Sequence, residues 1–128
     1  MRVLIADDQK TVGTTLAALV SQCGHEVIEV VGSGLEAIQA YTRHQPDVVL
    51  MDYFMPRLNG ATACRNILAR DPKAKIILVS GDALISEVTE AGAVAILSKP
   101  VALGSLYSAL YKAGAPRVEA DNPTAPEE

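Results

Sequence analysis

The chain has 128 residues, of which 49 % are apolar and 20 % charged, and its formal net charge is −4; that balance suits one soluble globular domain with a real core. No apolar stretch approaches the roughly 20 residues of a membrane span, and the acids that directly follow the first apolar run (MRVLIADD) argue against a secretory signal. No cluster of Lys or Arg offers to neutralise phosphates, which argues against nucleic acid as a direct partner, and the two cysteines, Cys23 and Cys64, read as buried reduced thiols on helices in a cytoplasmic protein.

Strand-length apolar runs alternate with helical patterns along the chain. The first run, Val3–Ala6, is closed by Asp7-Asp8. Val12, Leu16, Leu19, Val20 and Cys23 then share one helical face, with Gly24 as the stop. Val27–Val31 is a second strand, and Glu26 and Glu29 predict that it lies at a sheet edge. Ser33 followed by Glu36 matches a capping box, opening a helix that presents Leu35, Ile38 and Tyr41. Val48–Met51 runs into Asp52 and the turn-like stretch YFMPRLNG. Asn59 is expected to cap a third helix that buries Cys64, Ile67 and Leu68 and ends before Pro72. Ile76–Val79 ends in Ser80. A short fourth helix over 85–91 leads to a fifth strand, Ala93–Leu97, which ends in Ser98-Lys99-Pro100. Leu103, Leu106, Tyr107, Leu110 and Tyr111 form a stripe on a fifth helix, with the two tyrosines read as core and interface residues. From Gly114 the chain reads GAPRVEADNPTAPEE, rich in Pro, Ala and acids and without periodicity, which predicts a domain over 1–113 and a disordered tail or linker over 114–128.

Strictly alternating strands and helices imply an α/β fold, a doubly wound parallel sheet with helices on both faces. The first, third and fourth strands have no polar alternate, as expected when both faces of a sheet are covered. For five such units the frequent flavodoxin-like order is 2-1-3-4-5. In that order the functional crevice lies beyond the carboxyl ends of strands 1 and 3. There the sequence places Asp7, Asp8 and Asp52, with Ser80 and Lys99 at the ends of the next two strands. Any one of these acids could simply cap a helix or close a turn. Together they would repel one another by several kcal/mol in a partly desolvated cleft. A Mg²⁺ ion, which takes oxygen ligands from carboxylates and phosphates, would offset that repulsion.

Asp7-Asp8, Asp52 followed by MPRLNG, Ser80 and Lys99-Pro100 resemble the CheY-like receiver domains of bacterial response regulators, over residues 2–113. The resemblance implies that Asp52 accepts a phosphoryl group from a histidine kinase or phosphotransfer protein and forms an acyl phosphate. It implies that Asp8, Asp52 and the backbone carbonyl of Phe54 bind Mg²⁺, with Asp7 acting through water. Lys99 would pair with one phosphoryl oxygen and the Ser80 hydroxyl with another, and the bond before Pro100 would be cis. The surface of the fourth helix, fifth strand and fifth helix would then signal to a partner protein or to an output domain missing from this chain. The resemblance also allows two copies to pair there. Such a domain is not an enzyme beyond assisting its own phosphoryl transfer and dephosphorylation.

Three positions depart from the family's pattern. Ile96 stands where an aromatic is usual and cannot reproduce its rotation. The segment between Ser80 and Gly92 is about one turn short, which predicts a mobile fourth helix that orders on phosphorylation or partner binding. Phe54 replaces a small or polar residue beside the path of attacking water, where it either excludes water or docks a partner. Two alternatives fit less well. A haloacid-dehalogenase-type phosphatase would place two acids as Asp-x-Asp, and an FMN-binding flavodoxin-like protein would place Ser, Thr and Gly where Asp7-Asp8 stands. His25 and His44 have no carboxylate or Cys partner at ligand spacing and read as surface residues.

Overall fold

The computed structural model describes residues 1–81 and 91–114. The described elements are β1 (Arg2–Ala6), α1 (Lys10–Gln22), β2 (Glu26–Val31), α2 (Gly34–His44), β3 (Val48–Asp52), α3 (Gly60–Arg70), β4 (Ile76–Ser80), β5 (Ala95–Ser98) and α4 (Leu103–Gly114), the last being the fifth predicted helix. The predicted fourth helix and the tail fall on 82–90 and 115–128, outside the described residues; Ala91 lies in a turn.

All five strands are parallel, in the order β2-β1-β3-β4-β5. Successive strand residues point to opposite faces, and here both faces are covered. Leu4, Val49, Met51, Ile76 and Leu78 pack with Ile38 and Tyr41 of α2 and with Cys64 and Ile67 of α3. Val3, Ile5, Val48, Leu50, Ile77 and Val79 pack with Leu16 and Val20 of α1 and with Leu106 and Leu110 of α4. This two-sided burial explains why β1, β3 and β4 read as unbroken apolar runs, and the edge strand β2, with Glu26 exposed, does not.

The caps behave as their residues dictate. Ser33 Oγ accepts the Glu36 N–H at 3.1 Å, while the Glu36 carboxylate reaches back to the Gly32 N–H at 3.1 Å. Asn59 accepts the Thr62 N–H at 2.8 Å, and Gly24 turns the chain at φ 89° after α1.

Several expectations need correction. Leu35 is exposed, because α2 turns Ala37, Ile38, Ala40 and Tyr41 to the sheet. Tyr107 and Tyr111 are not core residues: they are 54 % and 69 % exposed, while Leu106, Ala109, Leu110 and Ala113 form the buried face. Cys23 caps the end of α1 and is partly exposed, whereas Cys64 is buried on α3; both are free thiols. β5 starts at Ala95 rather than Ala93. His44 does have a carboxylate partner, since its Nε2 lies 2.8 Å from Glu29, which Arg43 also meets at 2.8 Å.

Candidate functional site

The carboxyl ends of four adjacent strands build one corner of the molecule. Ala6 pairs with Met51, Asp52 with Val79, and Ser80 with Ser98, so the residues at or just past those ends become neighbours. Asp7 is buried. Its backbone N–H continues the sheet to the Val31 carbonyl at 2.9 Å, and its Oδ1 accepts the Gln9 N–H at 2.9 Å. Asp8, one residue on, faces solvent. Asp52 is only 3 % exposed. The turn after it is held by Gly60, whose N–H donates to the Tyr53 carbonyl at 2.7 Å. A Cβ on Gly60 would collide with the Asp52 carbonyl oxygen, so only glycine lets α3 start this close to the end of β3.

Lys99 follows β5 and precedes a cis peptide bond to Pro100. Its ammonium lies 3.1 Å from Asp52 Oδ1 and 3.4 Å from Asp7 Oδ2. Oxygens of Asp7, Asp8 and Asp52 all lie within 4.8 Å of one another. Burial pushes the Asp52 carboxyl above the usual carboxylate range; Lys99 and the Phe54 backbone amide pull it down and Asp7 pushes it further up, with a net rise. Burial draws the Lys99 ammonium down, but Asp52 and Asp7 outweigh it and the net shift is upward.

The residues fit a hard divalent cation. All the side-chain ligand atoms are carboxylate oxygens, and three carboxylates face one ammonium, which lies 3.1 Å from the buried Asp52 Oδ1. A cation there would take up the charge that Lys99 leaves uncompensated.

The structure therefore brings Asp7, Asp8, Asp52 and Lys99 together, with Phe54 beside them. An open cleft of about 370 Å³ is lined by Asp8, Gln9, Asp52, Phe54, Gly81 and Lys99. Asp7 and Ser80 are buried and do not line it. The Phe54 ring is 46 % exposed and stands edge-on to Tyr53, with centroids 4.7 Å apart. Ile96 is partly exposed and does not fill an interior space. The sequence motifs assign no chemical role to Gln9, Gly60 or Gly81. Gln9 had a legible signal, because it stands next to Asp7-Asp8 where a helix start favours a shorter capping residue.

Among known proteins, the response regulator receiver domain family matches residues 3–111. The chain is 37 % identical over 114 residues to the chemotaxis protein CheY of Thermotoga maritima, covering 87 % of this chain and 95 % of that one. It is 42 % identical over 107 residues to a protein-glutamate methylesterase/protein-glutamine glutaminase of Geobacter metallireducens, covering 78 % of this chain but 30 % of that one. A crystal structure of a CheX-CheY-BeF₃-Mg²⁺ complex from Borrelia burgdorferi superposes with a TM-score of 0.85 at 26 % identity, covering 91 % of this chain and 90 % of that one.

Proposed function

The chain belongs to the response regulator receiver domain family of two-component signalling, and on that premise we propose that Asp52 is its phospho-acceptor. The reading rests on one juxtaposition. A buried carboxylate at the end of a central strand sits beside two further carboxylates, with one ammonium 3.1 Å from its Oδ1.

In the transfer, a carboxylate oxygen of Asp52 attacks the phosphorus of a partner's phosphohistidine. The P–N bond breaks, the imidazole leaves, and a mixed anhydride forms. The rigid end of β3 keeps the nucleophile in line, and the open cleft admits the partner. Lys99, already at 3.1 Å from Asp52, moves its contact to a phosphoryl oxygen. Ser80, at the end of β4, supplies a hydroxyl to a second oxygen. Asp8, Asp52 and the Phe54 carbonyl would hold Mg²⁺, with Asp7 acting through water. The ion, when bound, offsets charge on the transferring oxygens.

The acyl phosphate then alters the surface of β5 and α4. Val94, Ile96, Leu103, Tyr107 and Tyr111 are exposed on β5 and α4 and just before β5, and the two tyrosine rings stack 6.5 Å apart. Exposed apolar side chains of this kind suit a protein partner, an output domain or a second copy of the chain. Incubation with acetyl phosphate and Mg²⁺ tests the core of the proposal. Label is expected on the parent and none on Asp52→Asn; label on both, or on neither, overturns it.

A further inference from the structure

Among the described residues that line the cleft, Gln9 is the one polar residue that neither the acceptor role nor the cation uses. It holds the N-cap position of α1, where short side chains are favoured because their oxygens reach the N–H groups of the first turn. Gln9 makes no such bond. Its backbone is nevertheless fixed, by the 2.9 Å bond from its N–H to the buried Asp7 carboxylate. The cleft has a floor and a mouth: Asp52 is buried, whereas Gln9, Asp8, Phe54 and Gly81 are exposed.

A phosphoryl group on Asp52 would lie between that floor and that mouth. Water that hydrolyses it by cleaving the P–O bond must approach in line, from the side opposite the Asp52 oxygen, which is the mouth. Among the other described lining residues at the mouth, the Phe54 ring offers no polar atom, Gly81 has no side chain, and Asp8 would hold the cation. The Gln9 carboxamide carries an acceptor and two donors on one rigid plane. The acceptor can take a water O–H while a donor meets a phosphoryl oxygen, the arrangement by which a glutamine orients attacking water in other phosphoryl transfers.

We propose that Gln9 positions the water that hydrolyses the acyl phosphate, and so sets how long the signal lasts. The assignment rests on Asp52 being the phospho-acceptor. As the water oxygen bonds to phosphorus, the bond to Asp52 breaks and its electron pair returns to the carboxylate. The water's oxygen and protons leave with inorganic phosphate.

The test uses the full chain, labelled with acetyl phosphate and Mg²⁺ and then freed of excess donor. Gln9→Met keeps the length and bulk of the side chain without its amide, and Gln9→Ala removes both. Both variants are expected to label to at least the parental extent, to unfold at the parental urea midpoint, and to lose phosphate about tenfold more slowly, the scale of one lost hydrogen bond in a transition state. Loss from Gln9→Met within twofold of the parental rate overturns the assignment. If only Gln9→Ala is altered, bulk rather than the amide is responsible, and the proposal fails as well. A parent chain that takes no label overturns the acceptor reading, and the Gln9 role with it, so the two failures are distinguishable.

Discussion

Asp52 costs the fold stability whenever no cation is bound, and Asp52→Asn removes that cost. At an effective dielectric constant of about 20, the Lys99 contact at 3.1 Å contributes about 5 kcal/mol of attraction, and a carboxylate no more than 4.8 Å away returns at least about 3.5 kcal/mol of repulsion. Asp7, buried, exerts that repulsion nearly in full, while the exposed Asp8 is screened by water. The charges therefore come close to cancelling, and the cost of desolvating the carboxylate, several kcal/mol, is left over. We expect Asp52→Asn to be more stable by about 2 kcal/mol in EDTA, or about 8 °C in Tm for a domain of this size. Lys99 keeps its contact with Asp7 in that variant. The pH dependence has a definite sign. The folded carboxyl sits above its unfolded value, so the penalty is fully present above the folded pKa and disappears as pH falls toward the ordinary carboxylate range. The gap between variant and parent must close on acidification. Saturating Mg²⁺ must narrow or reverse it as well, since a ligand at 100 times its Kd adds about 2.7 kcal/mol to the parent. Asp8→Asn is the control and should move metal-free stability by no more than about 0.5 kcal/mol. Thermal melts read all of these. A metal-free Asp52→Asn less stable than its parent would refute the reasoning, because it would mean that the ion pair outweighs desolvation.

Other changes probe the supports of the site. Gly60→Ala forces a Cβ into the Asp52 and Tyr53 backbone; a loss of about 3 kcal/mol is expected, together with reduced labelling by acetyl phosphate, and a variant with parental stability and labelling would show that the turn can yield. Burial holds the Cys64 thiol up at about 11 and the Tyr41 hydroxyl, which also donates to Asp71 at 2.7 Å, above its ordinary value. Both raised groups contribute stability that is complete below their unfolded pKa values, near 8.5 for the thiol, and is lost as pH rises toward the folded ones. Urea midpoints should accordingly fall between about pH 8.5 and 11, less steeply in Cys64→Ala; parallel slopes would count against the thiol. Phe54→Asn replaces a half-exposed apolar ring at the cleft mouth. If the ring excludes water, dephosphorylation should quicken several-fold, and an unchanged rate would leave Phe54 a docking role alone.

The strands were legible because burial on both faces leaves a run of apolar residues and nothing else. Their order was not legible, since no residue of β1 specifies β3 rather than β4 as its neighbour; a frequent arrangement supplied it. Helix caps were legible through Ser33 and Asn59, whose short polar side chains have few other uses at those positions. Helix faces were only half legible. A search for large apolar residues selects Leu35, Tyr107 and Tyr111, yet α2 and α4 approach the sheet through Ala37, Ala40, Ala109 and Ala113. A helix that packs closely needs small residues there, and a small residue carries almost no hydrophobic signal of its own. Gly60 escaped for the same reason: its function is the absence of a side chain.

The adjacent acids at the end of β1 show why four strand ends can be read from a sequence while their division of labour cannot. Asp7 has the parity of Val3 and Ile5 and turns inward; Asp8, one residue on, turns out. Two identical residues thus face opposite electrostatic problems. Asp8 is exposed to water. Asp7 is held by Lys99 and the Gln9 amide. That leaves Asp52 to share one ammonium with Asp7 in a buried corner, so the pressure to bind a cation comes from a single under-compensated carboxylate rather than from the number of acids present. The same residue is the one that a transferred phosphoryl group would reach, which places the nucleophile and the demand for counter-charge on one oxygen pair.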